Sequence, residues 1–257
     1  MEQVILALIF GVVVGLALGL VGGGGSILTV PILIYVLGER VHVATGTSLA
    51  IVGINALIGA WDHARAGRVR LSVALVVGGS GIVGSLVGTW LNHLVSGTII
   101  LTGFAVLMLL AAGSMVWLRL DKKKEVTQQS RWLLRVILTG LLVGVLTGFF
   151  GVGGGFLIVP ALVLVLGLPM RLAVGTSLVV IAINALTALI GHLQYGDIDL
   201  VVTLLFVLGG AVGSILGSRL SGKLNEQRLR IGFAGLIVLV AGYILVRTLV
   251  LGHTGTI

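Results

Sequence analysis

The sequence predicts an all-α integral membrane protein of two inverted-topology repeats, with about 8–10 membrane segments, some of them short or broken. Three observations predict it. The 257 residues are 58% hydrophobic and only 9% charged, where a soluble domain carries about 25% charged residues. Apolar runs long enough for a bilayer core of about 30 Å follow one another almost end to end. The second half repeats the first at a fixed offset.

The repeat is ungapped. Adding 129 to a residue number takes Gly22 to Gly151, Pro31 to Pro160, Gly46-Thr47-Ser48-Leu49 to Gly175-Thr176-Ser177-Leu178, Asn55-Ala56-Leu57 to Asn184-Ala185-Leu186, His63 to His192 and Gly84-Ser85 to Gly213-Ser214. Between residues 15 and 107 about three dozen positions are identical to their counterparts. Apolar bias accounts for some Leu and Val matches but not for these motifs.

Each half begins with a long apolar segment, 4–21 or 132–150. A Gly-rich break follows, then a short apolar segment, 27–37 or 156–166. Three longer spans complete it, at 43–61, 69–91 and 98–118 in the first half and 172–190, 200–220 and 229–251 in the second. The opening stretch lacks the basic leader and small-residue cleavage site of a secretory signal, so it reads as a retained helix. Five crossings per half, or three crossings plus a re-entrant pair, both give the odd number that inversion requires. The expected division is a first membrane repeat at 1–118, a polar linker at 119–131 and a second membrane repeat at 132–257.

Charge sets the expected orientation, because Lys and Arg accumulate in short cytoplasmic loops. Arg65, Arg68 and Arg70 occupy a loop whose counterpart holds Asp197 and Asp199, while Arg219, Lys223, Arg228 and Arg230 stand where the first half has only His93. Equivalent loops therefore belong on opposite faces. With both basic loops and the linker in the cytoplasm, both termini face outward and the protein sits in the cytoplasmic (inner) membrane.

Composition also excludes chemistries. The net charge of +8 comes without the aromatic-interleaved basic face of a nucleic-acid binder, so no nucleic-acid partner is expected. No Cys is present, and neither a metal-ligand cluster nor a nucleophile beside a base can be assembled, so no metal, no cofactor and no enzyme activity are expected. Gly79-Ser80-Gly81-Ile82-Val83-Gly84 matches a dinucleotide-binding pattern, but it lies inside an apolar span rather than at a strand-to-helix turn.

The candidate binding residues are polar but uncharged. Gly23, Gly24, Gly25 and Ser26, with Gly153, Gly154 and Gly155, interrupt apolar segments just before a short helix, whose free N–H groups and positive dipole end suit an anion. Alternatively these glycines serve close helix packing, as the four-residue spacing of Gly11, Gly15 and Gly19 and of Gly140, Gly144 and Gly148 does. Thr47, Ser48, Thr176 and Ser177 place hydroxyls near a span start, with Asn55 and Asn184 two turns further along. These side chains can either touch substrate or bond between helices. His63 and His192, at span ends, are candidates for proton coupling or ordinary interfacial histidines.

The paired motifs, Gly151 to Pro160 followed by Gly175 to Asn184 and their first-half equivalents, resemble the TauE/SafE family of bacterial sulfite exporters. The first-half break departs slightly, reading Gly-Gly-Gly-Gly-Ser against Gly-Val-Gly-Gly-Gly. The resemblance implies secondary transport of small sulfur-containing anions, sulfite or organosulfonates, by alternating access. A passive anion channel and a non-transporting membrane scaffold are the alternatives. The expected partners are the small anionic substrate and the lipid bilayer, with a second copy in a homodimer as a further candidate.

Overall fold

Ten helices follow one another in the computed structural model, which describes residues 2–22, 24–117, 129–151, 155–193, 198–223 and 226–246. The first half contributes α1 (Glu2–Val21), α2 (Gly24–Tyr35), α3 (Val41–Arg65), α4 (Leu71–Asn92) and α5 (Gly97–Trp117). The second contributes α6 (Gln129–Phe150), α7 (Gly155–Pro160), α8 (Met170–Leu193), α9 (Leu200–Ser221) and α10 (Glu226–Leu245). There is no strand among the described residues. Each expected span overlaps one of these helices, and residues 118 and 247–251 of the expected spans lie outside the described residues. The end of the expected linker is already helical, since α6 begins at Gln129, and 118–128 lie outside the described residues.

Six helices are each long and apolar enough to cross a membrane: α1, α3, α4, α6, α8 and α9. α2 is shorter, its 12 residues spanning about 18 Å. Its counterpart α7 stops at Pro160 and continues as a π-helical stretch, Ala161–Val165, where the Leu166 N–H reaches back to the Ala161 carbonyl. Proline has no N–H to give the preceding turn, which leaves the ladder free to widen there.

The helices pair between the halves rather than within them. α1 lies along α9, and α6 lies along α4. Glycine makes both approaches possible: a Cβ on Gly15 would overlap the backbone of Gly210, and one on Gly144 would overlap that of Gly81. Gly19 meets Ser214 in the same way and Gly148 meets Ser85. The contacts thus exchange under the 129-residue offset: what a first-half residue touches in the second half, its counterpart touches in the first. Two equivalent bundles result, α1–α2–α3–α9–α10 and α6–α7–α8–α4–α5, and α3 packs on α8 between them.

That junction is antiparallel. Gly53 lies opposite Ala185 and Leu186, Gly59 opposite Leu178, and His63 opposite Gly175. Along α1 and α9, by contrast, Gly11 meets Phe206, Gly15 meets Gly210 and Gly19 meets Ser214, so those helices run parallel. The glycines spaced by four are therefore the seams of the fold.

A methyl group at Gly144 has to push α6 away from α4, and overpacking of this kind costs about 1–3 kcal/mol. Gly79 has open space around its missing Cβ. Gly144→Ala is expected to lower the thermal midpoint of the purified protein by several degrees, while Gly79→Ala leaves it unchanged or raises it. Light-scattering or fluorescence melts of the two variants in one detergent test the pair.

Candidate functional site

Asn55 on α3 and Asn184 on α8 are completely buried, and neither amide has a hydrogen-bond partner for its oxygen or its nitrogen. In the antiparallel register of α3 and α8, each lies almost level with the residue preceding the other. They thus stand close to the centre of the crossing, in the middle of both helices.

Each amide presses on a glycine contributed by the other half. A Cβ on Gly210 of α9 would collide with the Asn55 amide, and one on Gly81 of α4 would collide with that of Asn184. Gly81 and Gly210 are themselves counterparts in the repeat, and they also carry the Gly144 and Gly15 contacts. The backbone can approach there only because no side chain intervenes.

Leaving a buried polar group unpaired costs about 1–3 kcal/mol. Two amides kept in this condition form a reserve that an incoming ligand with acceptor oxygens would satisfy. Ser48, one turn pair from Asn55 on the same face of α3, adds a third: its Oγ is buried and has no partner either. Its equivalent, Ser177, instead donates to the Val174 carbonyl at 2.7 Å. The two halves of the site are therefore chemically unequal.

The threonines do different work. The Arg70 backbone N–H donates to Thr176 Oγ1 at 3.0 Å, and the Asp199 N–H donates to Thr47 Oγ1 at 3.1 Å, another exchanged pair. Thr47 thus ties α3 to the start of α9, and Thr176 ties α8 to the start of α4.

The Gly-rich breaks are seated on the Gly-Thr-Ser-Leu turns of opposite halves. Gly22, with φ +78°, lies against Val174 and Ser177, and Gly151, with φ +67°, lies against Thr45. This left-handed backbone is strained for any residue with a Cβ. In the register of α3 and α8 the two breaks fall near opposite ends of the pair, on the order of 25 Å apart, and do not meet. Gly25 packs on the Val14 carbonyl and Leu18, Ser26 is buried, and Gly155 opens α7. Gly24 begins α2, whereas Gly23, Gly153 and Gly154 lie outside the described residues.

His63 and His192 are both enclosed by protein, each 1% exposed. His63 Nε2 donates to the Gly19 carbonyl at 3.0 Å, joining α3 to α1 just before the first break. Helix packing encloses these span-end residues, because α3 and α8 extend past the expected spans to Arg65 and Leu193. His192 stands 5.0 Å, centroid to centroid, from His93, which stacks at 5.7 Å on His42.

Sequence reasoning missed several participants. Gly81 and Gly210 carry a signal in the repeat, since they are identical counterparts. The contact of Ser218 Oγ with the Asp62 carboxylate and the bond from Arg68 to the Ser218 carbonyl, 3.1 Å, have no such signal. Neither does Glu39, which faces Asp199 from the α2–α3 loop and has Leu168 as its counterpart.

The comparisons with known proteins agree with this architecture. Residues 7–244 match the family model described as Sulfite exporter TauE/SafE. A probable membrane transporter protein of Xylella fastidiosa (strain Temecula1) is 32% identical over 252 residues, covering 96% of this chain and 97% of the relative. The probable membrane transporter protein YdhB of Bacillus subtilis is 30% identical over 220 residues, covering 84% and 89%. No solved structure matches the chain. With a mid-helix polar site, glycine seams and a match that runs nearly end to end, the chain belongs to the TauE/SafE family of membrane transporters.

Proposed function

We propose that the protein is a secondary transporter, working as an exporter, of small sulfur-containing anions such as sulfite or organosulfonates, by alternating access. The observation that carries this reading is the pair of buried, unpartnered asparagine amides held against glycines of the opposing half. Family membership supports the transport class, and the family's character as sulfite exporters supports the anion. Neutral donors suit such a cargo: a hydrogen bond to a charged group is worth about 1.5–3 kcal/mol, and several together offset part of the cost of stripping water from an anion without trapping it behind a fixed countercharge.

The exchanged contacts and the antiparallel α3–α8 junction support inverted repeats, with the pseudo-twofold axis passing near the two asparagines. They also bear on which parts move. The sequence halves cannot separate as rigid bodies without pulling α1 from α9, whereas the two mixed bundles meet through two pairs of equivalent helices, α3 on α8 and α5 on α10. We take those bundles as the moving bodies, with one Gly-rich break bordering each approach. The Arg65 to Arg70 loop, the linker and the end of α9 then face the cytoplasm, which puts both termini outside the cytoplasmic membrane.

Flux of labelled sulfite, sulfoacetate and taurine into proteoliposomes tests the reading, with the native protein compared with Asn55→Leu combined with Asn184→Leu. Saturable flux is expected, falling at least about tenfold in the variant, a loss of about 1.4 kcal/mol or more. Retention of flux would remove the asparagines from the site. Accumulation against a gradient separates a carrier from a channel, and absence of flux for every anion favours the scaffold.

Stability is expected to move the other way. Because leucine removes unpaired buried polar atoms while keeping the branched shape of asparagine, each substitution should leave stability unchanged or raise it, by up to about 1–2 kcal/mol. A structural role for these amides predicts clear destabilisation in the same melt. Saturating sulfite is expected to raise the midpoint of the native protein and not that of the double variant.

A further inference from the structure

The joint between α3 and α9 contains an acidic pair that the transport reading has not used. Glu39 lies in the loop between α2 and α3, outside the helices, and both its carboxyl oxygens are enclosed without a well-formed hydrogen bond. The groups acting on it are the Asp199 carboxylate and the Thr47 hydroxyl. Thr47 already accepts the Asp199 N–H, so its hydroxyl hydrogen remains available to a carboxyl oxygen. Three residues from two elements thus meet at one point.

The geometry decides which acid keeps its charge. Asp199 is the N-cap of α9, and its Oδ1 accepts the N–H groups of Val201 at 2.9 Å and Val202 at 3.0 Å. A carboxylate at a helix N-terminus is stabilised by those donors and by the helix dipole. Glu39 has neither advantage. An enclosed carboxylate acted on by a second negative charge is costly to ionise, and the proton goes to Glu39, the one without helix-end donors.

We propose that Glu39 is a proton-binding site that holds the α3–α9 joint together: protonated, the α2–α3 loop rests against Asp199, and on deprotonation the two carboxylates repel and the joint loosens. Burial first, and the Asp199 charge second, push the Glu39 carboxyl from its ordinary value of 4.5 up to about 7, against a smaller opposite effect of Thr47. A carboxyl whose pKa is raised in the joined form binds its proton more tightly there. The joined form is therefore favoured most below about 4.5, loses that advantage as pH rises from 4.5 towards 7, and has none of it above 7.

Position gives the switch its relevance. Thr47 and Asp199 sit at the start of the same parallel α3–α9 contact that, two turns further on, presses Gly210 against Asn55. Loosening the joint frees the end of α9 nearest that amide. This link to substrate rests on the transport reading, while the proton switch itself does not. The other titratable side chains at this end, among the described residues, are Arg40, which is exposed, His42 at the start of α3, His93 after α4 and His192 in the last turn of α8. Three of these are histidines, so the experiment must separate them from Glu39.

The native chain has no cysteine, which permits a direct test without substrate. A single cysteine replaces Val41, 7% exposed at the start of α3, and in a second protein Leu94, 62% exposed after α4. Both are reconstituted in lipid nanodiscs, and the ratio of their maleimide labelling rates, which cancels the thiol's own pH dependence, is followed from pH 5 to 8. The ratio is expected to rise at least about fivefold across that range, to stay low and flat with Glu39→Gln, and to rise at lower pH with Asp199→Asn, which can still cap α9. The same rise in Glu39→Gln would assign it to the histidines and overturn the proposal. A flat ratio in the native background would overturn it as well. Neither result bears on whether anions are carried, which the flux measurement decides separately.

Discussion

Everything in this molecule depends on how closely helices from opposite halves can approach. In lipid the hydrophobic effect does not drive helices together, so association relies on van der Waals contact and on hydrogen bonds between them. Along α1–α9 and α4–α6 the contact is backbone on backbone, with Gly15 on Gly210 and Gly144 on Gly81 at corresponding places. The same two glycines, Gly81 and Gly210, receive the asparagine amides. One set of missing side chains therefore both closes the seams and shapes the floor of the candidate site, and a substitution there would disturb stability and function together.

Pseudo-symmetry makes the two ends of the molecule similar in geometry and different in chemistry. The bond from the Arg70 N–H to Thr176 and the bond from the Asp199 N–H to Thr47 are equivalent joints. At one end the joint is surrounded by Arg68 and Arg70, whose charge is fixed at any physiological pH. At the other it holds Glu39, whose carboxyl is pushed up to about 7 by burial and by the Asp199 charge. A duplicated fold can thus answer different conditions at its two mouths with one backbone design.

Much of this was legible in the sequence. Apolar runs marked the helices because length and hydropathy are what a bilayer selects, and the 129-residue offset paired Gly15 with Gly144, Gly19 with Gly148 and Thr47 with Thr176, all of which exchange contacts. The Asn55 and Asn184 positions were also readable, as polar residues in the interior of apolar spans. The offset says which residues correspond, however, and not which ones touch. That α1 turns to α9 rather than to its neighbours in the chain depends on three-dimensional packing between segments nearly two hundred residues apart. Gly22 and Gly151 illustrate the limit: the glycine clusters marked the breaks, but only the register of α3 and α8 places them towards opposite ends. Glu39 was illegible because a lone acid with a leucine counterpart belongs to no pattern, and its environment is supplied by Asp199 from the other half.

Interlacing also has a consequence for how the protein is made. Helix α1 enters the membrane first, yet the glycine face it buries is covered only by α9, whose residues are synthesised about 190 positions later. At about 5–20 residues per second, that face waits roughly 10–40 s with lipid or insertion machinery as its only neighbour. The first half by itself leaves the seams of both α1 and α4 open, so it is not an independent folding unit. The two seams become available at different times, since α6 follows α4 closely in the chain whereas α9 is made near the end, so the α4–α6 seam can close before the α1–α9 seam.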